Sequence, residues 1–453
     1  MRNYKIIFIG AGISNLVAAN ALTDNGHRDF LILEKGKKIS ERKCPIANVK
    51  GCHFCSDACD VIEGIGGANA LNGNKLCHFP ASNSVRSNTQ SATVYKADQY
   101  IKSVIPNGGF TNLSKAPQQP NQKFYQSDIL TKNDFLGLIN RLTTKICDKI
   151  IDRCDVIKIV KKGNNFEILA NDGQTYIAKK VVLGTGRSSH RFLLDFLNSN
   201  NLKYQSLSQD VGIRIEGGPD IFTSKYYYQN DPKFKFSYGG LGSGRTFCAH
   251  NLGKVVPVRY GDSFFADGAF GNISSGRNNI ALMVRSQNPI STVVLENWCK
   301  TINNSAKCGL VLGEITLKHT RQVIDDIIRI IPLFPSSAHK ELFYLFLNDI
   351  IDGEHRILDV SANKPSKLLR IYGPAIDRYW IKPYIESDFS LSGCDGIYVV
   401  GDAAGLSRGF IQAMFSGFAW ADSYLKKDVG DNKDLYDKIW SGGLSFGVYP
   451  NTL

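Results

Sequence analysis

The sequence lacks any apolar run long enough to cross a membrane as a helix. The stretch IIRIIPLF at 327–334 falls well short of a bilayer and contains Arg329 and Pro332. The apolar run after Arg2 and Lys5 is interrupted by glycines and asparagines, so we interpret it as a first strand and not as a signal peptide. These absences exclude a membrane-spanning protein, and we expect no membrane partner and a cytoplasmic location.

Long blocks of one charge are also missing, although the formal net charge is +13. Basic residues occur in pairs, such as Lys161–Lys162 and Lys426–Lys427. Such pairs are typical of a solvated basic surface, while the excess of positive charge favours anionic ligands. Nucleic-acid binding therefore stays open as an alternative. No convincing internal repeat is visible either.

Eleven cysteines cluster instead of spreading along the chain as disulfide staples, so reduced thiols are the expectation. The tightest group consists of Cys44, Cys52, Cys55 and Cys59, with Cys77 behind it. The short loops between them could bring several thiolates round zinc or an iron–sulfur cluster, although the spacing is that of neither a zinc knuckle nor a ferredoxin. Buried structural thiols, or a redox dithiol at Cys52 and Cys55, are the alternatives.

Residues 5–34 have the pattern of a dinucleotide-binding unit: an apolar strand, a glycine turn, an alanine-rich helix and a second strand. Gly10 permits the sharp turn, and Gly12 lets a pyrophosphate approach the positive end of the helix. Asn15 stands where a third glycine is usual. Glu34, at the end of the second strand, is placed to accept hydrogen bonds from an adenosine ribose.

Two further segments point to the same ligand. Residues 155–189 predict a β-meander that ends in Gly184–Thr185–Gly186, and residues 396–421 predict a strand that ends at Asp402 before an alanine-rich helix. An aspartate at such a strand end can bond a polyhydroxy chain such as the ribityl group of FAD. The three pieces together match the order of a flavoprotein with an FAD-binding Rossmann-like domain, in which the meander covers the adenine.

At 453 residues the chain is long enough for two or three domains. The predicted fold class is α/β: a discontinuous Rossmann-like FAD-binding domain, with an inserted α+β substrate domain. The predicted boundaries are 1–205 and 371–453 for the FAD-binding domain, with an irregular insert at about 80–126, and 206–370 for the substrate domain. The substrate domain shows no second dinucleotide unit, and we expect its GGLGSGR run at 239–245 to be a loop.

Several motifs together resemble one family. They are GAGISNLVAA, CPIANVKGCHFCSDACDVIEGIGGANALNGNKL, DVGIRIE, RTFCAHNLGKVVP, YGPAIDRYW and YVVGDAAGLSRGFIQAMFSG. On these motifs, which cover most of the chain, it resembles the FAD-dependent NAD(FAD)-utilising dehydrogenases. The resemblance implies that Gly10, Gly12, Glu34, Thr185 and Asp402 contact FAD, and that Gly66, Gly67 and Asn72 approach it from the turn after the cysteine run.

The predicted sites comprise cofactor contacts and a smaller set of substrate-side candidates. The full set of predicted cofactor contacts is Gly10, Gly12, Asn15, Glu34, Lys35, Gly66, Gly67, Asn72, Val156, Gly184, Thr185, Gly186, Gly401, Asp402, Gly409, Ile411, Gln412 and Ala413. The candidate catalytic residues are Arg245, Cys248, His250 and Tyr379, with Trp380 beside them. Each of these also has a structural interpretation, as an ion-pair partner, a core thiol, a loop residue or packing aromatics.

These features predict an FAD-dependent oxidoreductase that acts on a small organic substrate by hydride transfer at the flavin, as a dehydrogenase or reductase. Because no dedicated NAD(P)H domain is visible, electrons would come from a transient NAD(P)H visit or from an electron-transfer partner, or would pass to oxygen. A flavin monooxygenase is the enzyme alternative. A flavoprotein that binds or modifies nucleic acid is the alternative from another class.

Overall fold

The computed structural model describes residues 3–44, 55, 58–68, 75–105, 121–227, 231–269, 274–306, 310–377 and 381–429. The strands in chain order are β1 (Asn3–Ile9), β2 (Phe30–Leu33), β3 (Lys75–Cys77), β4 (Gln122–Lys123), β5 (Ser127–Ile129), β6 (Ile150–Ile151), β7 (Val156–Lys162), β8 (Asn165–Ala170), β9 (Thr175–Leu183), β10 (Tyr204–Ser206), β11 (Asp210–Gly217), β12 (Lys233–Ser237), β13 (Gly242–His250), β14 (Lys254–Tyr260), β15 (Ser263–Ala269), β16 (Asn278–Ser286), β17 (Val311–Thr316), β18 (Leu368–Asp377), β19 (Ile381–Pro383) and β20 (Ile397–Val399). The helices are α1 (Ile13–Asp24), α2 (Ser84–Ser87), α3 (Ser91–Val104), α4 (Lys132–Thr144), α5 (His190–Ser199), α6 (Thr292–Ser305), α7 (Thr320–Ile330), α8 (Ser337–Ile351) and α9 (Phe410–Val429).

The first sheet is built round parallel strands. β1 pairs in parallel with β2 and β9, β2 pairs with β6, and β20 pairs with the end of β9. The strands β7, β8 and β9 form the predicted antiparallel meander. Since the carboxyl ends of β1, β2, β9 and β20 meet at one edge, the turns that follow these strands come together there.

Helix α1, which follows the glycine turn, is buried on all sides. Every residue of α1 from Ile13 to Leu22 is buried, because the helix lies between the first sheet and α9. A helix that is buried all round has no need of an amphipathic pattern, and its small residues let its neighbours approach closely. At Gly417 in α9 an added Cβ would lie 1.9 Å from Ser14 O of α1.

The second sheet is antiparallel, in the order β17, β18, β11, β16, β13, β12 and β4. Successive side chains along each of its strands point to opposite faces of the sheet. Ile213 and Leu282 face a core that includes Phe343 and Phe346 of α8, whereas Met283, one residue along, packs on the other face. One face is therefore covered by helices, and the other is turned towards the carboxyl edge of the first sheet.

The fold is the predicted α/β class, with a Rossmann-like parallel sheet and an antiparallel α+β unit between its parts. The unit β1–α1–β2, the meander and the buried helix predicted at 340–351 are confirmed. The expected domain boundaries stay predictions.

Two expectations about irregular segments were wrong. Within 80–126 the structure has helix α3, whose Ala97, Tyr100 and Ile101 pack into the core beside α9. Polar residues on its outer face hid this helix in the composition. Within 239–245 the chain enters strand β13 at Gly242, because the neighbouring strand β16 pairs with it.

The contact between α1 and α9 predicts unequal effects of two helical glycines. Gly417→Ala should lower the free energy of unfolding by about 1–3 kcal/mol or more, since its Cβ would meet the α1 backbone. Gly137→Ala in α4 is the control, because its Cβ would come no nearer than 3.8 Å to Arg141 Nη1, and it should stabilise by roughly 0.5–1 kcal/mol. Denaturant unfolding measures both. Equal effects of the two substitutions would contradict the close approach.

Candidate active site

A cavity of about 810 Å³ lies between the carboxyl edge of the first sheet and the uncovered face of the second. Its walls come from the turns after β1, β2, β9 and β20, from the loop at 62–68, and from strands β13, β16 and β18. The hairpin β14–β15 closes another side. The volume suits a cofactor-sized ligand, and the predicted phosphate turn lies in its wall.

The glycine turn after β1 is shaped by close backbone contacts. Gly10 has φ +92°, and an added Cβ would lie 2.9 Å from Gly184 O. Gly12 begins α1 with φ −69°, and its Cβ would lie 3.6 Å from the same oxygen. Gly10 is therefore required by the fold itself, whereas a Cβ on Gly12 would make only an ordinary contact, and Gly12 lies in the cavity wall at the positive end of a helix, where an anionic ligand is stabilised.

The Glu34 carboxylate holds three segments of this wall together. Its Oε2 accepts the Ala11 N–H at 2.6 Å, while Oε1 accepts those of Gly36 at 2.8 Å and Gly64 at 3.0 Å. Burial raises the pKa of Glu34, and the N–H groups of Ala11 and Gly36 oppose that rise. A carboxylate has about four acceptor positions. Backbone N–H groups of the protein thus occupy three of the acceptor positions of Glu34, a role additional to the ribose contact that the sequence predicts.

Arg42 orders the loop that faces the glycine turn. Its buried guanidinium donates to the carbonyl oxygens of Asp60 at 3.0 Å, Ile65 at 3.0 Å and Gly67 at 2.8 Å. Burial lowers the pKa of Arg42 to about 10, against the nearby Glu34 carboxylate. These hydrogen bonds hold Gly66 and Gly67 in the cavity wall.

An arginine bridges the two sheets at the cavity. Arg187, which follows Gly186, pairs with Asp402 at 3.2 Å and with Asp377 of β18 at 3.5 Å. Burial raises the pKa of Asp402 to about 6, although Arg187 and the Gly409 N–H work in the opposite direction. Asp402 thus lies where the sequence predicts it, but in an ion-pair network that joins the turn after β20 to the second sheet.

Arg245, a predicted catalytic residue, belongs to the same network behind the cavity wall. Its Nε donates to Asp210 at 2.9 Å, and its guanidinium also pairs with Asp377. Both carboxylates raise its pKa against the effect of burial. Arg285 shares Asp210 at 2.6 Å. The geometry therefore makes Arg245 a positioning residue for the wall.

Cys248 and His250, two of the candidate catalytic residues, line the cavity. Cys248 has φ +50° at a bulge, where the pairing of β13 with β16 shifts register. Burial raises the pKa of the Cys248 thiol and holds the pKa of His250 well below its ordinary value, so the imidazole is neutral. Lys75 Nζ lies 3.9 Å from Cys248 Sγ and 2.8 Å from Asp231 Oδ1.

Three predicted cofactor contacts have other positions. Asn15 donates to the carbonyl oxygens of Ile9 at 3.0 Å and Gly10 at 2.8 Å, so its buried amide braces the turn. Gln412 donates to carbonyl oxygens of the segment after β3, and Ile411 lies in the hydrophobic core. The side chains of Ile411 and Gln412 serve the fold, because the first turn of α9 directs them away from the cavity. Asn72, Tyr379 and Trp380 lie outside the described residues.

All the other predicted contacts within the described residues lie together in the cavity wall. They are Gly10, Gly12, Glu34, Lys35, Gly66, Gly67, Val156, Gly184, Thr185, Gly186, Gly401, Asp402, Gly409 and Ala413. Lys35 also pairs with Glu63 and Asp155, each at 3.5 Å. Thr185 Oγ1 is buried and has no hydrogen-bond partner among the described residues.

The cysteine prediction finds no support. Cys52 lies outside the described residues, and no disulfide joins Cys44, Cys55 and Cys59 to one another. The described part of the chain contains no group of three or more His, Cys, Asp or Glu side chains that could hold a metal ion. Cys59 is buried in the core between the second sheet and its helices, and burial raises the pKa of its thiol. In the described ranges no helix is both long and apolar enough to cross a membrane.

Several charged residues of the site were missed in the sequence: Arg42, Lys75, Arg187, Asp231 and Asp377. The motifs gave a signal for some of them, because Arg187 follows the Gly184–Gly186 run and Asp377 lies in YGPAIDRYW. The motifs could not predict which of these residues pair, because Arg187 and Asp377 are distant in the sequence and come together only in the folded chain.

No protein-family model matches the chain, and no curated protein matches it. Solved structures resemble it over nearly its whole length at low identity. A geranylgeranyl bacteriochlorophyll reductase-like protein from Thermoplasma acidophilum is 12% identical, with a TM-score of 0.40, over 97% of this chain and 83% of that one. The 2,6-dihydroxypyridine-3-hydroxylase from Arthrobacter nicotinovorans is 12% identical, with a TM-score of 0.38, over 97% and 87%. CtdE in complex with FAD and a substrate is 12% identical, with a TM-score of 0.37, over 98% and 88%.

At these identities and TM-scores the fold assignment depends on the sheet topology described above. The resemblance to NAD(FAD)-utilising dehydrogenases stays a prediction. The residues present do fit a dinucleotide cofactor: Gly12 lines the cavity at the start of α1 without a side chain, and the buried Thr185 hydroxyl, which has no partner among the described residues, faces the same cavity.

The three hydrogen bonds of Glu34 predict a stability effect. In Glu34→Gln the amide NH₂ must face at least one of the backbone N–H donors, which loses a buried hydrogen bond. The free energy of unfolding should fall by about 1–3 kcal/mol. Glu41→Gln is the control, since that glutamate is an exposed partner of Arg153. Chemical denaturation measures both variants. An unchanged Glu34→Gln protein would show that the glycine turns hold without the carboxylate.

The raised pKa of Asp402 predicts a pH dependence with a definite sign. The folded protein holds this proton more tightly than the unfolded chain, whose carboxyl has the ordinary pKa of 3.8. The contribution of Asp402 to stability is therefore full below about pH 4 and is lost as the pH rises through 6. Relative to Asp402→Asn, the wild type should lose stability over that range. A relative gain would mean that the Arg187 ion pair outweighs burial.

Proposed function

We propose that this protein is an FAD-dependent oxidoreductase that acts on a small organic molecule. The observation that carries the proposal is the convergence of three distant chain segments on one cavity. The turns at Gly10–Gly12, Gly184–Gly186 and Gly401–Gly409 all line it, next to the positive end of a buried helix. Such a set of turns at the carboxyl edge of a parallel sheet is the usual arrangement for binding a dinucleotide.

The chain's own residues divide the cavity by chemistry. Gly12 and the first turn of α1 would bind the pyrophosphate, and Glu34 and Val156 border the space for the adenosine. Asp402 and the start of α9 would hold the ribityl chain and the ring system at the other end. The wall from the second sheet then leaves the remaining space for a substrate.

FAD, when bound, supplies the hydride or oxygen chemistry, and the protein supplies binding, orientation and proton handling. His250 presents a neutral imidazole to the cavity. Its Nδ1 lies 2.9 Å from Cys248 O, a carbonyl that only accepts, so Nδ1 carries the hydrogen. Burial, Lys75 and Arg214 hold its pKa well below the ordinary value, so His250 would orient a substrate by hydrogen bonding and would not be an effective general base.

The route of the electrons separates two versions of this proposal. The second sheet is antiparallel throughout its described strands, so it offers no parallel βαβ unit for NAD(P)H. A dehydrogenase or reductase would exchange electrons with a transient NAD(P)H or a partner protein, whereas a monooxygenase would consume oxygen in proportion to product. Turnover with and without air, with labelled oxygen traced into product, distinguishes them.

The proposal predicts that FAD copurifies and that two neighbouring glycines behave differently. Gly12→Ala should keep the unfolding midpoint of the FAD-free protein, because its Cβ makes only ordinary contacts, but should weaken FAD binding about tenfold or more, equal to about 1.4 kcal/mol. Gly10→Ala should lose stability, since its φ and its contact with Gly184 O both oppose a side chain. Flavin release with mass analysis, and calorimetric unfolding, give the two readouts.

The controls separate cofactor loss from misfolding. Gly137→Ala should change neither FAD content nor affinity. FMN in place of FAD, or a colourless protein after reconstitution with FAD, would contradict the proposal. RNA that copurifies and is released steeply with rising salt would instead favour the flavoprotein that binds nucleic acid.

A further inference from the structure

The uncovered face of the second sheet places like charges opposite each other. In the pairing of β12 with β4, Lys233 is the direct partner of Lys123, and in the pairing with β13, Lys235 is the partner of Arg245. Like charges directly opposite on neighbouring strands are destabilising. These two pairs place four cations on three adjacent strands.

The carboxylates near these strands are already shared. Asp231 pairs with Lys75 at 2.8 Å and with Lys233 at 3.3 Å. Asp210 and Asp377 are likewise each divided between two arginines. Arg187 also pairs with Asp402, so these arginines are matched by Asp210, Asp377 and Asp402, whereas the two lysines Lys75 and Lys233 share Asp231.

Arg408 adds a further cation from the opposite wall. It lies half-buried in the cavity wall just before α9, and no carboxylate among the described residues lies within ion-pair distance of it. Burial lowers the pKa of Arg408. Burial, Lys233 and Arg408 all lower the pKa of Lys123.

Apolar side chains lie next to this charge. Lys233 Nζ is 5.2 Å from the ring centroids of both Tyr125 and Phe247. Phe247 packs with Met283 and Ala375 on the same face, and all three line the cavity. The site therefore combines an apolar wall with a cationic end.

We propose that the substrate carries an anionic group, a carboxylate or a phosphate, which Arg408 and Lys233 bind, while its apolar body lies against Phe247, Met283 and Ala375. This inference rests on the proposed function, because it names the class of substrate for the same cavity. An anion at this position would give Arg408 a charge-assisted partner.

The test uses the purified full chain loaded with FAD and three probes of similar size: benzoate, phenyl phosphate and the neutral benzamide. Titration calorimetry at constant ionic strength should show one or both anions binding at least about tenfold more tightly than benzamide. Whichever anion binds more tightly identifies the group. This comparison needs only the wild type, so it holds even where a variant fails to fold.

Substitutions locate the site. Arg408→Gln and Lys233→Gln should each weaken binding of the preferred anion about tenfold to a hundredfold and leave benzamide unchanged. Arg329→Gln is the matched control, because that arginine is exposed on α7 and pairs with Asp326. Equal binding of benzamide and the anions would overturn the inference. So would Arg408→Gln protein that binds the anion normally, or that loses only FAD affinity.

The two proposals can fail separately. If the protein does not bind FAD even after reconstitution but binds the anion through Arg408, the proposed function would be overturned and the anion site supported. Protein with FAD that shows no preference for anions would overturn the anion site and leave the flavoenzyme in place.

Discussion

The buried carboxylate of Glu34 is the interaction on which the cavity depends. It accepts N–H groups from the turn after β1, from its own strand end and from the loop at 64, so it fixes three backbone segments relative to one another. Arg42 complements it by collecting carbonyl oxygens of the same loop. One buried negative charge and one buried positive charge thus order a wall made largely of glycine, which has no side chains of its own to pack.

Local sequence was enough to predict the parts of the fold that depend on near neighbours in the chain. The turn at Gly10 needs a positive φ, and the meander needs alternation and short turns, so both are visible as patterns. The glycine positions of the site followed for the same reason. Helix α3 was missed because its buried face is defined by α9, which lies more than three hundred residues away in the sequence.

The chemistry of the site was less predictable, because it depends on pairings between distant residues. Asn15 looked like a weakened phosphate motif, yet its amide takes over part of the turn's hydrogen bonding. Arg245 looked catalytic, but Asp210 and Asp377 hold it within the wall. Like-charge pairs such as Lys123 and Lys233 depend on strand register, which composition does not reveal.

The contact between Ser14 and Gly417 has a consequence for how the chain is made. Helix α1 is synthesised long before α9, the helix that covers it. At elongation rates of roughly 5–20 residues per second, the four hundred or so residues between them take on the order of 20–80 s. During that interval the apolar surface of α1 lacks its cover, and β9 lacks β20. Exposed apolar surface of this kind makes the nascent chain prone to aggregate until α9 has been synthesised.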